Sequence, residues 1–481
     1  MKLRITLLFL LLQVCFTLSG QSLVSSTLLG SKTKAQLTSQ FGIPFIQYDV
    51  NYYRITYTTT GLQGQPDTVS GLIVVPNDAS MVFPRLVYQH GTSGSKLDVP
   101  SFNVLTNGEG VIGLLFAGLG FTTLMPDYLG LGISDGVHPY VHAATEASVA
   151  TDMLAVLPTF NNQYGVHTNE QLFITGYSQG GHAAMALHRE VETNLSANYT
   201  VTAAAHLSGP YSISGVMRDL ILSEDVYYYP AYLPNTIISY QAAYGNLYTQ
   251  LSDIFVEPYA TKIGQFYNGT ISLNQMNSQL ISLLIANEGA SKPIRMFQPA
   301  VVQDVTTNPD HPFNVALRAN DVYAWAPEAP TRIFYCKADD QVPYRNSLVA
   351  RDSMLAYGAA DLIATDVDST ADHGGCVTPA LTNTAFFFLG YRQIDVFTGT
   401  SAPAILALEI QPNPASSEVL LKNLPAEGQL QLFDLNGRQR YAATVSAGDF
   451  RLDVSAFENG MYFLRYLRAG EIRQSRLVVQ R

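Results

Sequence analysis

Six short, mainly apolar runs constrain this chain more than any other feature: Arg85 to Gln89, Phe121 to Met125, Gln171 to Tyr177, Val201 to Leu207, Arg332 to Ala338 and Leu362 to Val367. Strands buried on both faces read this way, because helices cover both sides of a parallel sheet. The segments between the runs are long enough for those helices. Ala143 to Leu157, for instance, repeats Ala, Val, Met and Leu at helical spacing. Ahead of the first run, Tyr53 to Thr59 and Thr68 to Val75 alternate in polarity around a turn with Gly and Pro, which predicts a hairpin. The predicted class is therefore α/β, with a mostly parallel central sheet.

The alternation stops between Tyr211 and Ala329, a stretch rich in tyrosine (Tyr227, Tyr228, Tyr229, Tyr232, Tyr240, Tyr244, Tyr248) and far too long for a loop. It predicts a mostly helical cap over one end of the sheet. After Tyr391 the chain passes through a Thr398 to Pro403 linker into short alternating segments. Turn signals at Pro412 to Pro414, Asn436 to Gly437 and Ala469 to Gly470 make this a small all-β unit. At the other end, Lys2 and Arg4 precede an apolar run from Ile5 to Leu12 and small residues at Ser19 and Gly20, the pattern of a secretory leader. The run falls short of the roughly 20 residues a membrane span needs. Val14 before Cys15 argues against a lipidated cysteine. The predicted organisation is a leader at 1–20, an α/β unit at 21–398 with its cap at 211–329, and a β-sandwich-like unit at 399–481.

Composition narrows the partners. A net charge of -11 with no cluster of Lys or Arg offers no footprint for nucleic acid or anionic membranes. The chain is 47% hydrophobic and 14% charged, values of a folded protein. Removal of the leader leaves Cys336 and Cys376, which in an oxidising compartment can form one disulfide or remain as two buried thiols. Sequence does not decide between them.

The chemistry centres on Gly176-Tyr177-Ser178-Gln179-Gly180, which follows the apolar Leu172 to Thr175 and precedes the helix-like Ala183 to Val191. A serine presented on a sharp strand-to-helix turn needs small neighbours, and Gly176, Gly180 and Gly181 supply them. The helix N-terminus beneath it favours the negative charge that develops on attack. A serine hydroxyl becomes a nucleophile only when a base takes its proton, and a carboxylate must hold that base in one tautomer. Asp339 and His373 follow the serine in the order acid then base, each just beyond one of the apolar runs.

Other histidines fit less well. His182 and His188 lie on the helix after the serine, His206 falls in a predicted strand, and His311 belongs to the cap. Asp340 competes with Asp339, since a one-residue shift of the strand end exchanges them. Asp372 reads as a loop cap, and Asp127 as a residue that shapes its own loop. For the oxyanion, the amide of Gln179 is one expected donor. Thr92, in His90-Gly91-Thr92 at the end of the first run, is the other, with Gly91 as the alternative.

From Tyr53 to Arg392 these tracts resemble the α/β-hydrolase superfamily. Pro126-Asp127-Tyr128-Leu129-Gly130-Leu131-Gly132, His138-Pro139-Tyr140 and the long insert look like its branch of capped secretory lipases and esterases. The resemblance implies acyl-ester substrates, a Ser178-His373-Asp339 triad and no metal or organic cofactor. Cys336, where glycine is often found three residues before the acid, is a departure. The last seventy or so residues resemble the sorting domain of type IX secretion cargo, through Ile410-Gln411-Pro412-Asn413-Pro414, Leu432 to Gly437, Asn459-Gly460-Met461-Tyr462-Phe463 and Leu477-Val478-Val479. That resemblance implies the type IX machinery as a partner and export across a Gram-negative periplasm to the cell surface or beyond. Two other functions share these features: a serine peptidase on the same fold, from which the mid-chain insert points away, and a surface-binding module on an inactive hydrolase scaffold, from which the complete set of reactive tracts points away.

Overall fold

A computed structural model describes residues 21–105, 108–398, 405–435, 437–468 and 471–481. The predicted leader at 1–20 and most of the Thr398 to Pro403 linker lie outside the described residues.

The six apolar runs are adjacent strands of one sheet: β4 (Met81–Gln89), β5 (Thr122–Pro126), β6 (Thr168–Tyr177), β7 (Thr200–Leu207), β8 (Thr331–Tyr335) and β9 (Leu362–Asp366). They pair in parallel in the spatial order β5-β4-β6-β7-β8-β9. The predicted hairpin is β2 (Val50–Thr60) and β3 (Pro66–Pro76), with Tyr53 opposite Ile73 and Thr59 opposite Asp67. It extends the sheet antiparallel from β5, and β1 (Leu23–Lys32) adds a further antiparallel edge strand. A short segment, β10 (Asp395–Val396), pairs with the start of β4.

Helices cover both faces, as a buried parallel sheet requires. After α1 (Lys34–Phe41), α2 (Gly110–Gly118) links β4 to β5. Next come α3 (Ala143–Tyr164) and α4 (Gln179–Asn194), on either side of β6. Val149, Met153, Ala183 and Leu187 of α3 and α4 pack with Ile73, Val87 and Ile174 on one face of the sheet. On the other face, Leu114 and Phe116 of α2 and Phe388 of the last helix pack with Leu86, Phe173 and Ala205. Phe173 and Ile174, neighbours on β6, point to opposite faces and read out the two-residue strand period.

Between β7 and β8 the insert is mostly helical: α5 (Arg218–Ile221), α6 (Tyr232–Tyr244), α7 (Tyr259–Tyr267), α8 (Leu273–Glu288), α9 (Pro299–Thr307) and α10 (Pro312–Ala319). It has its own core, where Ile263, Met276, Leu280, Leu284 and Met296 are fully buried. Then α11 (Arg345–Tyr357) joins β8 to β9, and α12 (His373–Leu389) closes the α/β unit.

The C-terminal strands form two small sheets. One is β11 (Ile405–Ala407), β14 (Gly428–Asp434), β15 (Gln439–Val445), β17 (Gly460–Arg468) and β18 (Glu471–Val479); the other is β12 (Ile410–Gln411), β13 (Glu418–Leu424) and β16 (Gly448–Asp453). Leu421 and Leu452 of the smaller sheet share a core with Leu432, Leu464 and Leu477 of the larger.

Two local expectations need correction. The run from Arg332 to Ala338 stays a strand only as far as Tyr335, because the chain turns at Cys336, whose carbonyl accepts the Asp339 N–H at 3.3 Å. His373, expected in a loop, is the first residue of α12, with Asp372 as its N-cap accepting the Gly375 N–H at 2.7 Å.

Candidate active site

Ser178 stands between β6 and α4 with φ 60° and ψ −122°, a conformation rarely adopted by a residue with a side chain. The neighbouring glycines are sterically obligatory. A Cβ on Gly180 would lie 1.9 Å from the Gln89 carbonyl oxygen, and one on Gly176 would lie 2.2 Å from that of Gly180. The first turn of α4 can pass this close to β4 only without side chains. Its geometry is further held by Gln179, whose Nε2 donates to Glu146 Oε1 at 2.9 Å, while Glu146 Oε2 lies 2.7 Å from His182 Nδ1.

The turn after β8 and the first residue of α12 deliver their side chains to this serine. His373 Nε2 is 2.9 Å from Ser178 Oγ, and His373 Nδ1 is 2.7 Å from Asp339 Oδ2. With the Nδ1 proton donated to the carboxylate, Nε2 is left to accept from the hydroxyl. Asp339 is fixed in turn, as its Oδ1 accepts the backbone N–H groups of Gln341 at 3.0 Å and Val342 at 2.8 Å. Its side chain is 1% exposed and that of His373 8%, so the pair interacts in a water-poor setting. Asp340, the rival acid, accepts the main-chain N–H of His373 at 3.1 Å rather than the ring proton. Tyr177 adds a second hold on the same residue, its hydroxyl donating to the His373 carbonyl at 2.5 Å.

The remaining candidates fall elsewhere. His182 and His188 are buried on α4, His206 is buried in β7 with its Nε2 3.3 Å from His188 Nδ1, and His311 is the N-cap of α10. Asp127 accepts from Ser70 Oγ, Ser101 Oγ and Ser101 N, which ties its loop to β3. Gln179 follows Ser178 as the first residue of α4, and Thr92 lies on the segment after β4. Neither amide has an acceptor among the described residues. The Thr92 hydroxyl lies 3.1 Å from the Tyr140 hydroxyl.

Sequence reasoning missed the residues that hold the Gly91 segment. Tyr128 donates to the His90 carbonyl at 2.9 Å, and Glu109 accepts the Gly91 N–H at 2.8 Å. Only the isolation of one carboxylate in an otherwise uncharged tract, Val99 to Gly120, marks Glu109 in the sequence.

Above Ser178 opens a cavity lined from the insert by Ile213, Met217, Ile221, Tyr232, Leu233, Ile237, Phe297, Val301, Val302, Val305, Phe313 and Leu317. Tyr140, Val141 and Val342 complete its wall beside the serine. Apart from Ser178, Thr236 and Arg218 the lining is apolar or aromatic. No group of three or more His, Cys, Asp or Glu side chains poised for a metal is found among the described residues. No helix there is long and apolar enough to cross a membrane.

Cys336 and Cys376 are joined as a disulfide, with Cα atoms 5.9 Å apart.

The chain is similar to known proteins in both of its folded parts. Residues 409–480 match the secretion system C-terminal sorting domain. Among solved structures, a hydrolase from Legionella pneumophila is 26% identical, with a TM-score of 0.69 over 77% of this chain and 98% of its own. The rice cell wall degrading esterase LipA from Xanthomonas oryzae is 27% identical, with a TM-score of 0.66 over 76% of this chain and 96% of its own. Candida antarctica lipase A in its closed state shares the fold at 13% identity, with a TM-score of 0.54 over 75% of this chain and 82% of its own. No curated protein sequence matches the chain. The chain thus combines the α/β-hydrolase fold with a type IX secretion sorting domain, which marks a secreted or cell-surface protein.

Proposed function

We propose that this protein is an exported serine hydrolase that cleaves carboxylic esters. The observation that carries the reading is His373 bridging Ser178 Oγ at 2.9 Å and Asp339 Oδ2 at 2.7 Å, at the floor of an apolar cavity. His373 Nε2 takes the hydroxyl proton as Ser178 Oγ attacks the ester carbonyl carbon. The carbonyl oxygen gains the negative charge and is met by the amides of Gln179 and Thr92. Collapse breaks the bond to the alcohol oxygen, which leaves with the proton from His373. Water then gives a proton to His373, attacks the acyl-serine, and releases the acid with Ser178 restored. Asp339 keeps the imidazole in the required tautomer and stabilises its cationic form.

The insert acts as a cap that supplies the acyl-binding wall, since an apolar concave pocket suits a hydrocarbon chain. The esterase and lipase among the similar structures support the ester over the amide as substrate. Export through the periplasm, with a leader at 1–20 and the sorting domain from about 399, completes the reading. Hydrolysis rates across p-nitrophenyl esters of increasing acyl length, with a peptide anilide in parallel, test it. Ester turnover that disappears in Ser178→Ala is expected; anilide cleavage exceeding ester cleavage would make the protein a peptidase instead.

A further inference from the structure

Glu109 takes no part in the steps above, yet its carboxylate reaches the segment that carries Thr92. It directly precedes α2, and its side chain makes no cap to that helix. Oε1 instead accepts the Gly91 N–H at 2.8 Å and Oε2 accepts the Tyr88 hydroxyl at 2.7 Å.

The consequence follows from peptide planarity. The His90–Gly91 peptide is held at both ends, its carbonyl by the Tyr128 hydroxyl at 2.9 Å and its N–H by Glu109. The next peptide is held by its carbonyl, because His90 Nδ1 donates to the Gly91 oxygen at 2.8 Å. Burial drives the His90 pKa down to about 4, so this ring is neutral, and its one proton belongs on Nδ1, 2.8 Å from the Gly91 oxygen, rather than on Nε2, 3.4 Å from the Asp127 oxygen. In a trans peptide the N–H points opposite to the C=O. The Thr92 N–H is thereby aimed away from His90, and it has no acceptor among the described residues.

Space reinforces the arrangement. A Cβ on Gly91 would lie 2.7 Å from Glu109 Oε1 and 3.3 Å from the Tyr177 carbonyl oxygen, so any side chain there displaces the carboxylate. Burial raises the Glu109 pKa to about 7, while its two donors favour the ionised form. Above neutrality it is a charged acceptor.

We propose that Glu109 is a positioning residue for the hydrolysis, its carboxylate fixing the Gly91 amide and so aiming the Thr92 amide at the oxyanion. This rests on the reading of Ser178 as an ester-cleaving nucleophile. Because the oxyanion exists only after attack, loss of Glu109 lowers kcat and leaves KM nearly unchanged.

The test is made on the full chain at pH 8. Glu109→Leu is expected to lower kcat roughly 10–100-fold, part of the ~10²–10³ that one oxyanion donor is worth. Affinity for a trifluoromethyl ketone, which forms a tetrahedral adduct, should fall by a similar factor. Glu109→Gln retains an oxygen for the Gly91 N–H and should recover most of the loss. Gly91→Ala should lower kcat by itself and add little on top of Glu109→Leu, since both break one contact. The proposal is overturned if folded Glu109→Leu keeps wild-type kcat, if Gln is as damaging as Leu, or if ketone affinity stays constant while kcat falls. Should Glu109→Leu not fold, wild-type kcat in Gly91→Ala overturns it equally. Failure of the underlying reading looks different: fluorophosphonate would not label Ser178 in the wild-type protein, and Ser178→Ala would keep its turnover.

Discussion

Cys336 precedes Asp339 by three residues and Cys376 follows His373 by three, and the disulfide between these cysteines ties together the segments that carry the proposed acid and base. Both sulfur-bearing residues are fully buried. Each shares a single turn with its neighbour: the Asp339 N–H donates to the Cys336 carbonyl at 3.3 Å, and the Cys376 N–H to that of Asp372 at 2.9 Å. The crosslink spans 40 residues of sequence. A loop of that size restricts the unfolded chain enough to stabilise the fold by roughly 3–4 kcal/mol. Cys336→Ala with Cys376→Ala should therefore lower the guanidinium midpoint and, by loosening the acid–base pair, reduce kcat several-fold. A midpoint that matches the oxidised wild type would show that packing alone holds these turns.

Ser178→Ala should abolish labelling by a fluorophosphonate and reduce turnover by several orders of magnitude. His373→Ala should match it, and the double variant should be no worse, because the two act as one unit. Asp339→Asn should cost on the order of 10⁴-fold by favouring the wrong tautomer. Asp340→Asn should cost far less, since an amide oxygen can still accept the main-chain N–H of His373. Steady-state kinetics on one ester rank all five, and a reversed order of the aspartates would assign the acid to Asp340.

What the sequence disclosed follows from how local the physical signal was. The strand-to-helix turn at Ser178 was legible because it demands glycines at fixed spacing between an apolar strand and a helix. The hairpin was legible from its two-residue period. The edge strand β1 was not: no residue from Leu23 to Lys32 is buried, so it carries no apolar alternation. The end of β8 was misjudged because Cys336 continues the apolar run through a turn made by backbone bonding. The role of Glu109 was illegible for a different reason. Its partners, Tyr88 and Gly91, lie on another element, and no spacing rule links a carboxylate before α2 to a serine after β6.

The cavity sets a testable length preference. Val305 and Val302 sit on α9 with their side chains in its wall, where added volume must occupy the space an acyl chain would fill. Val305→Phe should lower kcat/KM for long-chain p-nitrophenyl esters relative to the butyrate while leaving the butyrate rate near wild type. Loss of all chain lengths together would mean the substitution disturbs the insert's core instead. An unchanged profile would place the acyl chain outside this cavity.

The last expectation concerns pH and stability, and its sign is fixed by burial. Desolvation is the largest influence on Glu109 and raises its pKa from 4.5 to about 7; Asp98 acts in the same direction, and the Tyr88 and Gly91 donors and His373 oppose it. A carboxyl whose folded pKa lies above its unfolded value binds its proton more tightly in the folded state. Its contribution is greatest below about 4.5, is lost as pH rises toward about 7, and is flat above that. In Glu109→Gln the group does not titrate, while every other carboxylate and histidine titrates in both proteins. The difference in Tm, wild type minus Glu109→Gln, should therefore fall across that window and level off beyond it. Thermal unfolding of the two proteins in matched buffers measures the difference directly. A difference that instead grows with pH would mean that the Gly91 and Tyr88 donors outweigh the cost of burial, so that Glu109 is already ionised at acidic pH.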